Sequence, residues 1–517
     1  MKKLLSVLVV LIAVISIAGC VGGQAKPQQA ELVILHFNDY HAKLEADKDG
    51  QGGIAALASV VKETRATNQN VLFVSAGDIN TGSMVSNKND GMPDIEIFNL
   101  LKLDATVIGN HEFDKAPAVF AKQIAAAKYP YISANIKKDG KTAFTPYIVK
   151  VINGLKVGIF GITTSDTPVK AHPLKVAGYT FTNEIETAKE MVAQLRNVEK
   201  VDIVIGLFHV GVGDGAGPNP ANKIAEAVSG IDLIIDGHSH TEMKEPLVVN
   251  GTPIVQAGYN ARYVGRAVIS YNKGAVSLKE WKTIPLNIKK DGALVGTAIT
   301  PDPEVAAMVK KYADAIKAQY NVKIATTTAA FDLGDRLTRK QETPLGNIVA
   351  DSMVFKARAM GIKADFAFTN GGGIRKSLPA GDVTRMNAYE VLPFGNTLAY
   401  FEMTGEQVLE LFKNIGAIPL GNGGFANVSK DVRFTLDTIN KVAKDITING
   451  QPIDPAKKYI VITNDFIAVG GDGVYPFLKT LTFKDTFIDM LEGFIEYLQS
   501  LPQPITPTTD GRITIIK

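Results

Sequence analysis

Cysteine is almost absent from this chain, which has one cysteine among 517 residues. A single cysteine cannot form an internal disulfide, and it cannot build a cysteine-based metal site. A surplus of one charge sign is absent too, because 55 lysines and arginines face 52 aspartates and glutamates. The composition therefore gives no electrostatic reason to expect a nucleic-acid partner. Histidine is scarce, with seven residues in all, so each of its positions is informative.

The overall composition is that of an ordinary globular protein. Hydrophobic residues make up 46% and charged residues 21%, which excludes a disordered chain, a collagen-like repeat and a coiled coil. At ~100–200 residues per domain, the length predicts two or three domains.

The N-terminus has the pattern of a signal peptide. Lys2 and Lys3 precede the apolar run 4–18, which is shorter than the ~20 residues of a transmembrane helix. The run ends in Ile17-Ala18-Gly19-Cys20, which resembles a bacterial lipobox, and this resemblance implies lipidation of Cys20. We therefore expect a lipoprotein signal peptide over 1–20, a flexible tether over 21–30, and a protein held at a membrane on the cell surface or in the periplasm. An uncleaved N-terminal anchor is the alternative.

From residue 31 onward the chain alternates short apolar runs with polar, glycine-rich corners. The runs rich in Val, Ile and Leu are 32–37, 71–75, 105–108, 157–160, 203–208 and 233–235. They have the length of buried strands, and helical periodicity appears between some of them, at 54–67 and 183–197. This pattern predicts a layered α/β domain over 31–290, with a strand-rich stretch at 252–288.

A second unit follows a helical connector. Residues 303–320 read as one amphipathic helix with Pro303 near its start, inside a connector that we place at 291–324. The second unit, 325–517, has turns and apolar runs of its own and ends in a predicted strand at 512–516. We expect it to be a second α/β domain.

Polar groups of metal-ligand type follow five of the predicted strands. They include five of the seven histidines, at 41, 111, 209, 238 and 240. Ligands in α/β domains gather at the carboxyl ends of strands. Two divalent cations ~3.5–4 Å apart need a shared group, and Asp78 is the predicted bridge. Imidazole and carboxylate ligands suit zinc or manganese without any thiolate.

In this order the motifs resemble those of the calcineurin-like metallophosphoesterases, whose N-terminal fold has four layers, αββα. The matching residues are Asp39-x-His41, Gly77-Asp78, Gly109-Asn110-His111-Glu112, His209 and Gly237-His238-x-His240. The resemblance implies two divalent ions (Zn, Mn or Co), one held by Asp39, His41, Asp78 and His240, the other by Asp78, Asn110, His209 and His238. Some relatives have Gln at the place of His240.

The same resemblance implies a catalytic pair. His111 should contact the phosphate and stabilise the transition state, and Asp114 should orient it. Their spacing of three residues puts both on one face of a helical turn. A helix-capping role is the alternative for Asp114. His36 lies inside an apolar run and points away from the ligands, so we expect it to be a buried structural residue.

Three glycine-rich motifs of the second unit resemble the C-terminal domain of the 5′-nucleotidase family. They begin at Asn370, Pro393 and Gly470, and with the N-terminal match the resemblance covers about residues 31–515. It implies that two rings sandwich the base, that Asp472 binds ribose, that Asn396 contacts the base, and that arginines bind the phosphate. The implied substrate-binding residues are Arg336, Arg339, Arg375, Phe394, Asn396, Gly423, Phe466 and Asp472. Core packing is the alternative for the two phenylalanines.

The family contains bacterial nucleotidases, UDP-sugar hydrolases and vertebrate ecto-5′-nucleotidases. We therefore expect a metal-dependent enzyme that hydrolyses nucleoside 5′-phosphates outside the cytoplasm, with UDP-sugars as a further substrate class. One alternative is a 2′,3′-cyclic nucleotide phosphodiesterase with 3′-nucleotidase activity. Another is a surface lipoprotein that binds nucleotide or metal without turnover.

Overall fold

The computed structural model describes residues 26–47, 49–171, 175–213 and 216–516. The predicted signal peptide and Cys20 lie outside these residues. Strand β1 begins at Gln29, so it includes the last two residues of the expected tether. Within the described ranges, no helix has both the length and the apolar composition needed to cross a membrane.

The first domain contains seventeen strands in the described residues. They are β1 Gln29–Phe37, β2 Val71–Ser75, β3 Ala105–Val107, β4 Tyr131–Ile132, β5 Ile136–Lys138, β6 Lys141–Thr142, β7 Tyr147–Ile152, β8 Leu155–Thr163, β9 Tyr179–Phe181, β10 Ile203–His209, β11 Leu233–Ile235, β12 Leu247–Val249, β13 Thr252–Val255, β14 Tyr263–Asn272, β15 Ala275–Pro285, β16 Lys289–Lys290 and β17 Ala293–Leu294. Its helices are α1 Ile54–Thr67, α2 Met84–Asn87, α3 Met92–Leu100, α4 Pro117–Ala126, α5 Thr167–Lys170, α6 Glu184–Ala193 and α7 Ala221–Ala227.

Two six-stranded sheets form the centre of this domain. Their strand orders are β15-β14-β1-β2-β3-β4 and β12-β13-β11-β10-β8-β7. Strands β1 to β4 run parallel, as do β8, β10, β11 and β13. Antiparallel strands close the second sheet at both edges and the first sheet at one edge. The smaller strands form a three-stranded sheet (β6-β5-β9) and a hairpin (β16-β17).

The two sheets pack face to face through branched aliphatic side chains. Ile34 and Val74 of the first sheet and Ile159 and Ile205 of the second are all fully buried in this shared layer. Helices cover the outer faces, α1 and α3 on the first sheet and α6 and α7 on the second. This arrangement confirms the predicted αββα layering. The strands are continuous apolar runs because both faces of each sheet are buried.

Most predicted strands and helices agree with the structure to within a few residues. Helix α1 has the predicted bounds. The helix expected over 183–197 begins one residue later, because the Asn183 side chain caps it by accepting from the backbone N–H of Ile185 and Glu186. It continues through a wider turn, Gln194–Glu199.

The connector helix α8 spans Pro303–Tyr320, as predicted, and packs on the first domain. The Asp302 carboxylate caps it by accepting from the Val305 N–H at 3.0 Å. The Tyr312 hydroxyl donates to Glu96 at 2.8 Å, and Lys317 pairs with Glu45 at 2.6 Å. The chain therefore enters the second domain only after Tyr320.

The second domain has eleven strands in the described residues. They are β18 Lys323–Thr327, β19 Phe366–Asn370, β20 Gly381–Thr384, β21 Thr397–Thr404, β22 Ala426–Val428, β23 Val432–Asp437, β24 Val442–Ile448, β25 Gln451–Pro452, β26 Lys458–Asn464, β27 Phe483–Asp489 and β28 Ile513–Ile516. Its helices are α9 Pro344–Ala359, α10 Arg385–Val391, α11 Gly405–Ala417, α12 Asp465–Ala468 and α13 Met490–Ser500.

These strands form a five-stranded sheet (β22-β19-β26-β21-β27), a four-stranded sheet (β25-β24-β23-β28) and the pair β18-β20. Helix α11 buries Phe412 among Phe366, Phe401 and Phe434, which joins the two larger sheets into one core. The C-terminal strand β28 pairs in parallel with β23. A second α/β domain is thus confirmed.

Candidate active site

The carboxyl ends of the central parallel strands in both sheets meet at one edge of the first domain. The seven predicted metal ligands all stand there: Asp39 and His41 after β1, Asp78 after β2, Asn110 after β3, His209 at the end of β10, and His238 and His240 after β11. Face-to-face packing of the sheets thus brings together residues that are about 200 positions apart in the sequence, such as Asp39 and His238.

One group of ligand atoms lies around Asp39. The Nε2 atoms of His41 and His240 are 3.1 Å apart, and His240 Nε2 is 3.4 Å from Asp39 Oδ1. One ligand atom from each of these three residues lies within 4.8 Å of the others. Two ring nitrogens and a carboxylate oxygen that converge in this way can hold one divalent ion.

A second group lies around Asn110. Its Oδ1 atom is 3.2 Å from His209 Nε2 and 2.9 Å from His238 Nδ1. Asp78 Oδ2 is 3.2 Å from His209 Nε2 and 4.0 Å from His41 Nε2. Asp78 therefore stands between the two groups, in the position that a bridging carboxylate needs.

The donor set fits divalent metals. His209 contacts the Ala76 carbonyl through Nδ1 at 2.7 Å, which turns its Nε2 toward Asp78. Burial lowers the pKa of His41 to about 3 and holds the pKa of His238 and His240 well below the usual value. These three imidazoles are therefore neutral, which is the form that binds a metal.

The backbone at these ligands is strained. Five of the seven candidate ligands have positive φ angles: Asp39 47°, His41 47°, Asp78 56°, His238 76° and His240 59°. Non-glycine residues rarely adopt this left-handed region, and such strain concentrates at functional sites. The His41 N–H donates to the Asp78 carbonyl at 2.9 Å, and the His238 N–H donates to the Asp39 carboxylate at 3.0 Å.

Sequence reasoning assigned no role to Glu112, although it belongs to the Gly-Asn-His-Glu motif. Its buried carboxylate accepts from the backbone N–H of Gly109 at 2.6 Å, Ile79 at 2.7 Å and Asp78 at 3.1 Å. Burial and then the charge of Asp78 raise the pKa of Glu112 to about 7. A Cβ atom at Gly109 would lie 2.2 Å from Asp78 Oδ1, so this close approach requires glycine. Glu112 thus ties the loops after β2 and β3 together.

The predicted catalytic pair lies on one helical turn, His111–Asp114. His111 Nδ1 is 2.6 Å from Asp114 Oδ2. Burial alone would lower the pKa of His111, but the charges of Asp114 and Asp78 outweigh it and raise that pKa to about 9. The Asp114 carboxylate thus orients the ring and favours its protonated form, which is suited to donate a hydrogen bond to a phosphoryl oxygen.

A cavity of about 730 Å³ lies between the two domains and opens onto this edge. Phe394 of the second domain stacks on His111 of the first, with ring centroids 6.1 Å apart and planes 12° apart. Most of the predicted site residues line the cavity: Asp78, Asn110, His111, Asp114, His238, His240, Arg336, Arg339, Arg375, Phe394, Asn396, Gly423, Phe466 and Asp472. The structure thus brings together residues from motifs in both halves of the chain. The three remaining predicted ligands lie behind the lining residues and contact them: Asp39, His41 and His209.

Three arginines form a cationic wall. Burial, followed by the charges of Arg375 and Arg336, lowers the pKa of Arg339 to about 10. The Arg375 guanidinium lies 5.4 Å from the centre of the Phe394 ring, and Arg336 Nη2 lies 3.3 Å from His240 Nδ1. Three positive charges on one wall of the cavity favour an anionic ligand beside them.

Glycines and Asp472 shape another part of the cavity lining. The Asp472 carboxylate accepts from Asn370 Nδ2 at 2.8 Å, and burial raises its pKa. A Cβ atom at Gly423 would lie 2.9 Å from Asp472 Oδ1, which leaves little room for a larger residue. Phe466 is half-buried, and its ring also packs against the core of the second domain. Its position is therefore compatible with both the predicted base contact and the core-packing alternative.

Several lining residues were not predicted. Lys170, Lys175, Lys340, Asn370 and Asn422 also line the cavity. Asn370 could have been found, because it begins the Asn-Gly-Gly-Gly motif. The lysines had no sequence signal, since a single lysine in a loop is normally solvated. Lys175 Nζ donates to the Asp114 carbonyl at 2.5 Å and so supports the turn that carries His111.

His36 is buried, as expected, and lies outside the cavity lining. Its ring stacks on Trp281 with centroids 5.3 Å apart, and burial lowers its pKa to about 3.

Comparison with known proteins agrees with this geometry. The family described as "Calcineurin-like phosphoesterase" matches residues 32–242, and "5'-nucleotidase, C-terminal domain" matches residues 321–480. The chain is 32% identical to a 5′-nucleotidase of Vibrio parahaemolyticus, covering 94% of this chain and 92% of the relative. It is 34% identical to protein UshA of Escherichia coli, covering 90% and 91%. The crystal structure of a 5′-nucleotidase precursor from Thermus thermophilus superposes with a TM-score of 0.81 at 29% identity, covering 94% and 99%.

Proposed function

Since this chain belongs to the 5′-nucleotidase family of phosphomonoester hydrolases, we propose that it releases phosphate from nucleoside 5′-phosphates with two divalent metal ions, outside the cytoplasm. The observation that carries this proposal is the shared cavity, because the metal-ligand groups and the base-binding motifs line the same space. One ion would be held by Asp39, His41, Asp78 and His240. The other would be held by Asp78, Asn110, His209 and His238.

When bound, such a pair of ions supplies an activated water and neutralises charge on the phosphoryl oxygens. His111 lines the cavity, and in this proposal its ring donates a hydrogen bond to a phosphoryl oxygen and stabilises the transition state. Asp114 fixes the ring through Nδ1. This combination of groups suits a reaction that is very slow without an enzyme, because catalysis must lower its free-energy barrier by ~20 kcal/mol.

The second domain recognises the rest of the nucleotide in this proposal. Arg375 and Arg339 bind the phosphate and neighbouring oxygens through charge-assisted hydrogen bonds. Phe394 and Phe466 enclose the base, and Asn396 contacts its edge. Asp472 accepts from the ribose hydroxyls, because it faces the cavity while Asn370 holds one of its oxygens. Gly423 leaves space beside it.

UDP-sugars are a second substrate class in this proposal. Lys170, Lys175 and Lys340 add three cations to the three arginines of the cavity. A diphosphate carries an additional phosphate for these groups to bind. The cyclic phosphodiesterase alternative is less favoured, because Asp114 is paired with His111 as the 5′-nucleotidase resemblance implies.

A phosphate-release panel tests the substrate assignment. It would compare AMP, 3′-AMP, 2′,3′-cyclic AMP and UDP-glucose, the last two with a phosphatase-coupled readout, because hydrolysis of the cyclic ester or of the diphosphate leaves monoesters and frees no phosphate. We expect turnover of AMP to exceed that of 3′-AMP and cyclic AMP. A preference for the cyclic substrate would overturn the assignment, and metal binding without turnover of any substrate would favour the non-catalytic alternative.

We also propose that Cys20 carries a lipid that holds the enzyme at a membrane. The supporting observation is the short apolar run that ends in Ile17-Ala18-Gly19-Cys20. Several acyl chains at ~0.8 kcal/mol per buried CH₂ give a stable anchor. Labelled fatty acid should be incorporated into the wild-type protein but not into Cys20→Ala. Equal incorporation, or none in either protein, would contradict the anchor.

A further inference from the structure

The amino ends of the parallel strands form a surface opposite the candidate site, which we name the basal face. It consists of segments 26–28, 101–104, 127–130, 153–156, 198–202, 229–232 and 273–274. These segments contact one another. The Lys273 N–H donates to the Gln28 carbonyl at 2.8 Å, and the Asp202 N–H donates to the Lys156 carbonyl at 2.8 Å.

Lysines dominate the exposed part of the basal face. The exposed lysines are Lys26, Lys102, Lys128, Lys156, Lys200 and Lys273. Removal of Lys2 and Lys3 would lower the net charge of the whole chain from +3 to about +1. Six exposed lysines thus stand on this face of a nearly neutral protein, beside one partly exposed glutamate, Glu199, which accepts from the Tyr147 hydroxyl.

Three aspartates of the basal face are turned inward. Asp104, Asp202 and Asp232 have side chains that are only 14%, 11% and 16% exposed. Each accepts a backbone N–H from the next strand, at 2.8, 2.9 and 2.7 Å respectively. These carboxylates are engaged within the fold, and Asp202 also pairs with Lys26. The other five exposed lysines form no ion pair among the described residues, so their charges remain on the surface.

Two large apolar side chains stand beside these lysines. Val151 is 68% exposed and Val198 is 64% exposed. Val151 is paired with Lys156 across β7 and β8. Lys156 Nζ donates to the Glu199 carbonyl at 3.2 Å, next to Val198. Lysines around exposed valines form a surface that suits both the charge and the apolar boundary of a lipid headgroup layer.

The position of Cys20 fixes which surface can reach the membrane. Lys26 is held on the basal face by an ion pair with Asp202, and its ammonium lies 5.4 Å from the centre of the Tyr271 ring. It lies six positions after Cys20, and even a fully extended chain over that span reaches only ~20–22 Å. A lipid on Cys20 would therefore keep the basal face close to the bilayer.

We propose that the basal face docks on the anionic headgroups of the bilayer that carries the Cys20 lipid, with Val151 and Val198 at headgroup level. The inference rests on the lipid anchor proposed above. Docking in this orientation directs the strand ends that carry the candidate site away from the membrane, where a soluble nucleotide can reach them. Each lysine near an anionic surface contributes a factor of roughly five in binding, which salt weakens.

The first test measures headgroup binding without the lipid. Residues 21–517 lack Cys20 but contain every described residue. We expect them to bind vesicles of phosphatidylcholine with phosphatidylglycerol and not vesicles of phosphatidylcholine alone. The double variant Lys200→Gln/Lys273→Gln should bind roughly 25-fold more weakly. The control is Lys310→Gln/Lys413→Gln, which changes the net charge equally at sites 73% and 75% exposed on α8 and α11.

Equal weakening in both double variants, or no preference for phosphatidylglycerol, would overturn the proposal. All these variants should hydrolyse AMP at the wild-type rate, since none lies in the cavity. Because this assay does not involve Cys20, a failure of docking is distinguishable from a failure of lipidation, which fatty-acid labelling of the full chain reports.

The second test measures orientation in the lipidated protein. A fluorophore on Val151→Cys should be quenched by headgroup-labelled lipids in phosphatidylglycerol vesicles. The matched control is Ile439→Cys in the second domain, because Ile439 is 69% exposed and Val151 is 68% exposed. Equal quenching at the two positions would contradict the proposed orientation.

Discussion

The two walls of the cavity are built in different ways. On the first domain, Asp39 and His209 are fully buried, and each stands within two residues of the end of a central strand. On the second domain, Phe394, Asn396 and Phe466 are only half-buried; the first two lie in a loop and Phe466 lies in the short helix α12. The buried ligands of the first wall are thus placed by the strand ends themselves, whereas these three side chains of the second wall are partly exposed and extend from a loop and a short helix.

This difference matches two chemical tasks. Metal ligands must keep a fixed geometry, and buried strand ends provide that geometry at the cost of backbone strain. Recognition of a base, a ribose and a phosphate requires contacts that form when the substrate arrives. We therefore expect substitutions on the first wall to lower turnover, and substitutions on the second wall to raise KM.

The largest effect should follow removal of the metal ions or of Asp78, the ligand that both metal groups share. EDTA should abolish phosphate release, and Mn, Zn or Co should restore it. Asp78→Asn removes a charge that lies between the two groups, so metal content should fall and kcat should drop by roughly a thousandfold. Asp314→Asn, on the exposed side of α8, is the control. Full activity in the metal-stripped protein would contradict the two-metal proposal.

The next-largest effect concerns His111 and Asp114, two residues of the first wall that are not metal ligands in this proposal. His111→Ala should lower kcat by ~10²–10³ while metal content stays close to that of the wild type, because His111 stabilises charge in the transition state. Asp114→Asn should cost less, since it only orients the ring. Metal analysis beside the kinetics separates the roles. If His111→Ala loses metal, His111 is a ligand and the proposed role is wrong.

The first wall was accessible to sequence reasoning because its residues follow strands directly. Asp78 and His209 could be placed at strand ends from apolar runs alone, and parallel strands bring such ends to one edge. Glu112 was missed because its function depends on which backbone N–H groups meet it, and this depends on loop conformation. The positive φ angles at Asp39 and His41 were equally invisible in the sequence.

The second wall was less accessible for a physical reason. Each glycine-rich motif alone predicts only a turn, and the resemblance to a family was needed to connect Arg375 with Phe394. Lys170 and Lys340 line the cavity because two domains approach each other, which no local pattern encodes. The bounds of α8 were predictable, but its packing on the first domain was not.

A third prediction addresses the second wall. Phe466→Ala should raise KM for AMP by roughly 5- to 150-fold, because stacking contributes ~1–3 kcal/mol per base. KM for p-nitrophenyl phosphate should change little, since that substrate has no base. Phe487→Ala is a matched control in the same domain, where Phe487 is 83% exposed. Equal increases for both substrates in Phe466→Ala would show that Phe466 supports the fold instead.

A fourth prediction concerns the effect of Glu112, in the first domain, on metal affinity. Glu112→Gln replaces one acceptor oxygen by an NH₂ group that faces the backbone N–H groups of the Asp78 loop. Groups that orient metal ligands typically change affinity by ~10–100-fold. We expect metal affinity, measured by competition with a chelating dye, to fall within that range. Glu304→Gln, at a side chain 59% exposed, should leave it unchanged. Unaltered affinity in Glu112→Gln would mean that the loop holds Asp78 without it.

The smallest effect should come from loss of one hydrogen bond between the two domains. Asn87 Nδ2 of the first domain donates to the Tyr389 hydroxyl of the second at 2.8 Å. Tyr389→Phe removes this acceptor, together with the donation of the same hydroxyl to the Pro393 carbonyl at 3.3 Å, but keeps the ring that lies 5.3 Å from Lys88 Nζ. A lost hydrogen bond of ~0.5–1.5 kcal/mol should raise KM for AMP by roughly 2- to 12-fold, with kcat nearly unchanged. Tyr312→Phe removes an equivalent hydroxyl between α8 and the first domain, away from the joint. If closure of the second domain onto the first is what binds AMP, only Tyr389→Phe raises KM, and an equal rise in both variants would assign the effect to general loosening of the fold.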